Sequence, residues 1–151
     1  MPGGLDLFSV QQEIVQYAKD NIPWHVETGG IPDAETVRMV NGTLEPYVVL
    51  RFTDSMPSSR DKSFGGPEYD GLYGYVDALC IAGGPDDTLA RQLGSLVGRK
   101  LLGFRASNAS KLSKNFGGGS FVIPGENSRP RFFIGIVSFR FTTNLEDVGA
   151  I

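Results

Sequence analysis

One strand-like run constrains the fold more than any other part of the sequence. Along Leu72 to Ala82 the β-rich side chains fall into two alternating sets, Tyr73, Tyr75, Leu79 and Ile81 on one parity and Leu72, Val76, Ala78 and Cys80 on the other. Both faces are therefore largely apolar, which predicts a central strand. Gly83-Gly84-Pro85-Asp86-Asp87 breaks the run, and Thr88 to Leu102 follows with a different period. There Leu89, Leu93, Leu96, Val97 and Leu101 recur at three- and four-residue steps, opposed by Arg91, Gln92, Ser95, Arg99 and Lys100. Tyr69 to Phe104 thus reads as a strand, a sharp turn and an amphipathic helix lying on the sheet.

The remaining segments read as packing around this frame. Leu7, Val10, Ile14 and Tyr17 trace one face of a first helix, capped by Asp6 or by Ser9 with Gln12 three residues on, and ended by Asn21-Ile22-Pro23. Trp24-His25-Val26-Glu27 is a short extended piece with His25 and Glu27 on its exposed face. Asn41-Gly42 between Thr36–Val40 and Thr43–Glu45 predicts a type I′ hairpin, whose second arm passes through Pro46 into Tyr47–Phe52. Long arms that outrun the sheet body are expected, with a kink or unpaired edge at the proline. Phe121-Val122-Ile123 is a strand, and Phe132 to Thr142 a long one. In that last strand Phe133, Gly135, Val137, Phe139 and Phe141 share an apolar face, while Phe132, Ile134, Ile136, Ser138 and Arg140 turn polar toward the end. Two stretches, Thr53 to Glu68 and Arg105 to Ser120, read as long loops of the kind that usually carries function. Gly103 suits the left-handed position after the second helix. The order predicts one α+β domain, a two-layer sandwich of mostly antiparallel sheet covered by two amphipathic helices, with flexible ends at 1–5 and 144–151.

The 151 residues suffice for one domain with a sizeable core. No apolar run is long enough to span a bilayer, and the start lacks a basic segment followed by an apolar one, so a cytoplasmic protein is expected. The net charge of −3 hides an asymmetry. Met1 to Ala90 holds fourteen acidic residues against five basic ones, Arg91 to Leu145 nine basic residues against Glu126 alone, and Glu146 and Asp147 follow. Such a split marks either a nucleic-acid surface or a charge-complementary contact between copies, unless strands from the two halves interleave and mix the charges.

The inventory for chemistry is thin. One histidine, His25, and one cysteine, Cys80, exclude a zinc cluster of the usual nitrogen and sulfur type, and no Gly-x-Ser-x-Gly elbow is present. Cys80 in an apolar strand reads as a small core side chain. Gly83-Gly84-Pro85-Asp86-Asp87 sits where a phosphate loop would, yet no Lys-Ser/Thr pair follows and two aspartates occupy the helix start. They read as a cap complementing the helix dipole, and Glu146/Asp147 as an unremarkable acidic pair. Neither catalysis nor a cofactor is expected. A small α+β enzyme or ligand-binding domain using His25, Cys80 or the Gly83-Gly84 turn is the weaker alternative. A nucleic-acid reader is weaker still at a pI near 5.1.

The first amphipathic helix, the Asn41-Gly42 hairpin running into Tyr47–Phe52, the Tyr73–Ala82 strand with its Gly83-Gly84 turn into the Leu89–Leu102 helix, and the Phe132–Phe141 strand together resemble the tail terminator family of long-tailed phages. The resemblance covers most of the chain. It implies a structural virion protein of the neck, assembled in the host cytoplasm, that forms a homohexameric ring, ends polymerisation of the tail tube and docks the head connector. Genome DNA would pass through the ring without specific binding, which calls for an acidic or neutral lumen. A tail-tube subunit or head-closure adaptor shares this pattern of elements. Candidate contacts with neighbouring copies or partners are Arg60, Lys62, Phe64, Asp86, Asp87, Arg91, Arg99, Arg105, Lys111, Lys114 and Phe116. The charged members suit a head-to-tail contact, and Phe64 and Phe116 are aromatic anchors in glycine-flanked loops.

Overall fold

The structure is a computed structural model that describes residues 7–30, 37–54, 71–107, 109–114, 121–124 and 132–144. Its elements in chain order are α1 (Leu7–Asn21), β1 (His25–Thr28), β2 (Met39–Val40), β3 (Thr43–Leu44), β4 (Tyr47–Asp54), β5 (Gly71–Gly83), α2 (Thr88–Leu101), β6 (Ser113–Lys114), β7 (Phe121–Pro124) and β8 (Phe132–Asn144). The main sheet runs β1-β4-β5-β8, and both β6 and β7 pair with the outer edge of β8. All pairings are antiparallel except β1 with β4. The two helices lie on one face, so the chain is an α+β two-layer sandwich.

The predicted central strand is the middle of the sheet. β5 pairs with β4 along Gly74 to Ile81 and with β8 along its whole length. Its even parity, Val76, Ala78 and Cys80, faces the helices and packs with Val10, Ile14, Val48, Leu50, Leu93, Val97, Val137 and Phe139. Its odd parity, Leu79 and Ile81, joins Tyr47, Val49, Phe132, Ile134 and Val37 in a second buried cluster on the opposite face. Two apolar faces thus have two covers: the helices on one side, and on the other the approach to the hairpin, where the Tyr47 hydroxyl accepts a hydrogen bond from the Arg38 amide at 3.2 Å. Burial of that phenol raises its pKa above the ordinary value.

Beyond the second cluster the open face turns polar, as the alternation of β8 predicts. Arg51, Asp77 and Ser138 stand side by side on three strands. The Ser138 hydroxyl donates to Asp77 Oδ1 at 2.7 Å, and Arg51 approaches the other oxygen at 3.9 Å. Ser138 is buried, so this bond satisfies a hydroxyl that would otherwise be stranded.

Four expectations need correction. Asn41 and Gly42 adopt the positive φ angles, 53° and 79°, that a type I′ turn requires, but the arms are two residues each and form their own small sheet. Pro46, unable to donate, stands between that ladder and β4. The Arg105–Ser120 loop is partly structured: Arg105 bridges Lys111, Ala109 bridges Thr143, and Ser113-Lys114 adds to β8. Ser9 lies inside α1, one turn too late to cap it. Leu89 is 38% exposed, because α2 turns Ala90 and Gly94, together with Leu93, Val97 and Leu101, toward the sheet. The Thr53–Glu68 loop lies, from Ser55 on, outside the described residues, as do both predicted flexible ends apart from Asn144.

Gly74 shows how tightly the central pair fits. It stands opposite Phe141, and a Cβ there would lie 2.4 Å from Phe141 Cζ. The ring is 2% exposed and packed into the main core, so it can move only by displacing its neighbours. Gly74→Ala is predicted to cost about 1–3 kcal/mol through forced repacking, read as a lower urea midpoint at an unchanged slope.

Candidate subunit-interaction site

The small residues of α2 determine how it sits on the sheet. Ala90, Gly94 and Gly98 recur every four residues, on a stripe offset from the leucine face. A Cβ on Gly94 or Gly98 would touch the Val137 methyls at 3.5 and 3.6 Å, and one on Gly135 would come within 3.0 Å of the Ala90 carbonyl oxygen. Helix and strand backbones are therefore close along this line. On the far side of the contact α2 offers no bulky side chain to cover the outer part of β8. A groove of about 630 Å³ remains, with Val137, Ile136 and Phe139 on its sheet wall and Gly94, Ser95, Gly98 and Leu102 on its helix wall. Leu102, at its end, is 55% exposed.

The groove is apolar inside and charged at the rim. Asp87 and Arg91 stand at its α2 N-terminal end, Arg99 and Lys114 at the other. Arg91 is drawn to Asp87, Nε to Oδ1 at 3.3 Å, across one helical turn. Such an exposed pair contributes at most about 0.5 kcal/mol. At the far end Arg99 and Lys114 are exposed, with Lys114 opposite Phe139 on the β6–β8 ladder.

Of the residues singled out from sequence, the groove brings together Asp87, Arg91, Arg99 and Lys114. Asp86 is on the turn before it. Its Oδ1 accepts the Thr88 amide at 3.0 Å, so Asp86 caps α2, whereas Asp87 at the N-cap position makes no such bond. Those Thr88 hydrogen bonds hold the Asp86 carboxyl below the usual aspartate range. Arg105 is committed locally, its Nε donating to the Ala109 carbonyl at 2.9 Å, and Lys111 is exposed beside it. Arg60, Lys62, Phe64 and Phe116 lie outside the described residues. The apolar lining was not foreseen. The Ala90-Gly94-Gly98-Leu102 spacing carried the signal, masked by the stronger leucine periodicity next to it.

The charge asymmetry of the sequence becomes a polarity along the strands. α2 starts where β5 ends and runs back over it, so Ala90 packs with Ala82 and Phe133 while Gly98 reaches Val137. Asp86 and Asp87 therefore mark the end of the sheet at Gly83 and Phe132. Arg99, Lys100, Arg105, Lys111, Lys114 and Arg140 gather toward the end where Phe139 to Thr142 pair with β6 and hydrogen-bond Ser110. Arg91 at the first end, and Glu13, bonded to Ser107, and Asp54, opposite Gly74, at the second moderate the separation without erasing it.

His25 pairs with Glu27 on the exposed face of β1, Nε2 to Oε2 at 2.9 Å. Cys80 is fully buried, and burial pushes its thiol up to about 12. Among the described residues no three His, Cys, Asp or Glu side chains converge as a metal site would need, and no helix is long and apolar enough to cross a membrane.

No family model matches the chain, and no curated protein does. Among solved structures, a protein whose name describes no function is 10% identical, with 90% of this chain and 91% of that one aligned at a TM-score of 0.50. At this identity the likeness shows the α+β fold alone.

Two outcomes follow from the titrating groups. Cys80 is predicted to resist thiol-modifying reagents in the native protein at pH 8 and to react fully once the chain is unfolded, as counted by mass spectrometry. For Asp86 the folded pKa lies below the ordinary 3.8, so its contribution is complete above that value and is lost as pH falls through the lower folded value. The neutral acceptor in Asp86→Asn cannot titrate. The gap in melting temperature between wild type and this variant is therefore expected to be constant above roughly pH 5 and to narrow below it.

Proposed function

We propose that this chain is a structural, non-enzymatic tail terminator of a long-tailed phage. In this reading copies close into a ring, a homohexamer, at the head-proximal end of the tail tube, stop its polymerisation and present a docking surface to the head connector. The protein belongs to the virion neck, is assembled in the host cytoplasm, and lets the genome pass through its lumen.

The observation that carries this reading is the polarity of charge. The turn before α2 carries Asp86 and Asp87, the far end of the same helix carries Arg99 and Lys100, and an apolar groove runs between them. Identical copies that join through two different patches make a heterologous contact, which closes into a ring when the rotation between neighbours divides the circle. Complementary charge steers and orders such contacts. The α+β sandwich and the order of elements agree with the resemblance seen in the sequence.

Electron microscopy of the assembled particle tests the proposal. Density for this chain is expected as a single ring at the head end of the tube, and deletion of its gene is expected to give overlong, headless tails. Density repeated along the tube would overturn the terminator reading in favour of a tube subunit. Normal-length tails that merely lack heads would favour a head-closure adaptor.

A further inference from the structure

We infer that consecutive copies of this chain join along the axis of α2, with the acidic turn of one copy seated in the basic-rimmed groove of the next. This contact rests on the ring reading above and names the surfaces that make it.

Each copy of the chain carries both halves of the contact. The donor surface is the turn between β5 and α2, where exposed Pro85 and Leu89, the latter 38% exposed, flank Asp86 and Asp87. Asp86 accepts the Thr88 amide and feels the Arg91 charge only at a distance, because Arg91 pairs with Asp87. The acceptor surface is the Leu102 end of the groove, where Phe139 and the 55%-exposed Leu102 lie between Arg99 and Lys114. An apolar knob flanked by carboxylates thus matches an apolar trough flanked by cations. Such pairing of a desolvated centre with a charged rim is the usual anatomy of a specific interface.

The two surfaces cannot meet within one copy. They lie at opposite ends of a helix of 14 residues, about 21 Å at 1.5 Å per residue. A second copy is the occupant that satisfies both. Each copy then uses its turn on one neighbour and its groove on the other, the head-to-tail arrangement a ring requires. The helix dipoles run in series across the contact, positive N-terminus toward negative C-terminus, which adds to the charge match.

A charge-swap experiment tests this pairing. Arg99→Glu places an acid in the groove, and Asp86→Arg places a cation on the turn; each variant alone meets like charge at every contact. Roughly tenfold or greater weakening of self-association is expected for each, by analytical ultracentrifugation at low salt with tail tubes present as a nucleus. Mixing the two variants restores opposite charge at both kinds of contact in an alternating ring. Assembly is therefore expected to return to near the wild-type level in the mixture alone. Asp86→Asn, which keeps an acceptor for Thr88, separates loss of charge from loss of the cap, and Leu102→Ser weakens the apolar centre without touching charge; both are expected to weaken assembly with unchanged circular dichroism. If wild type forms rings and the single variants do so equally well, or the mixture fails to recover, this contact is overturned and the ring reading stands. Wild-type protein that stays monomeric even on tube ends would overturn both.

Discussion

The ladder between β5 and β8 is the contact on which the rest of the structure depends. Thirteen residues of each strand pair without interruption, from Gly71 with Asn144 to Gly83 with Phe132. The pairing satisfies the backbone of β5, which could not otherwise be buried on both faces. It also brings together residues from the two halves of the sequence. β4 and β1 extend the sheet on one side and β6 and β7 on the other, and both helices rest on the floor these strands make. Loss of this ladder would leave Val76, Ala78, Cys80, Leu79 and Ile81 without either cover.

Much of this arrangement was legible in the sequence, for reasons that are local. The two apolar parities of Leu72–Ala82, the switch from apolar to polar on β8 at Ser138, the Asn41-Gly42 turn and Gly103 at φ 88° after α2 are all decided by residues within a few positions of one another. What escaped depends on contacts distant in the chain. The parallel pairing of β1 with β4 joins segments about one helical crossover apart and leaves no mark on either. The bridges of Arg105 to Lys111 and of Ala109 to Thr143 turn a glycine- and serine-rich stretch into part of the sheet edge. The lean of α2 toward its small residues was hidden because leucines suggest the buried face whenever they are present. At Leu89 the close approach of Ala90 to Gly135 outweighed them.

The candidate site follows from that lean. A helix that approaches a strand closely through Ala90, Gly94 and Gly98 gains contact under itself and forfeits cover beside itself. The groove is thus the counterpart of close packing. Asp86 and Asp87 just before α2, and Arg99 and Lys100 in its last turn, oppose the partial charges of the helix ends and favour the isolated subunit as well as any assembly. A single helix in this way serves fold and surface together.

Gly74 beneath the Phe141 ring bears on how the chain avoids misfolding. β5 is apolar on both faces, so a slipped alignment with β8 would still bury hydrocarbon, and the usual penalty for turning the wrong side inward is weak here. A shift of one residue would set Tyr73 or Tyr75 against Phe141, and a shift of two would set Leu72 or Val76 there, each bringing a side chain to the place where the ring now lies over bare backbone. The absent side chain at position 74 therefore acts as a proofreading notch. It favours the correct alignment over its neighbours in a pairing between distant segments, the kind of contact whose loop-closure cost falls due before its reward.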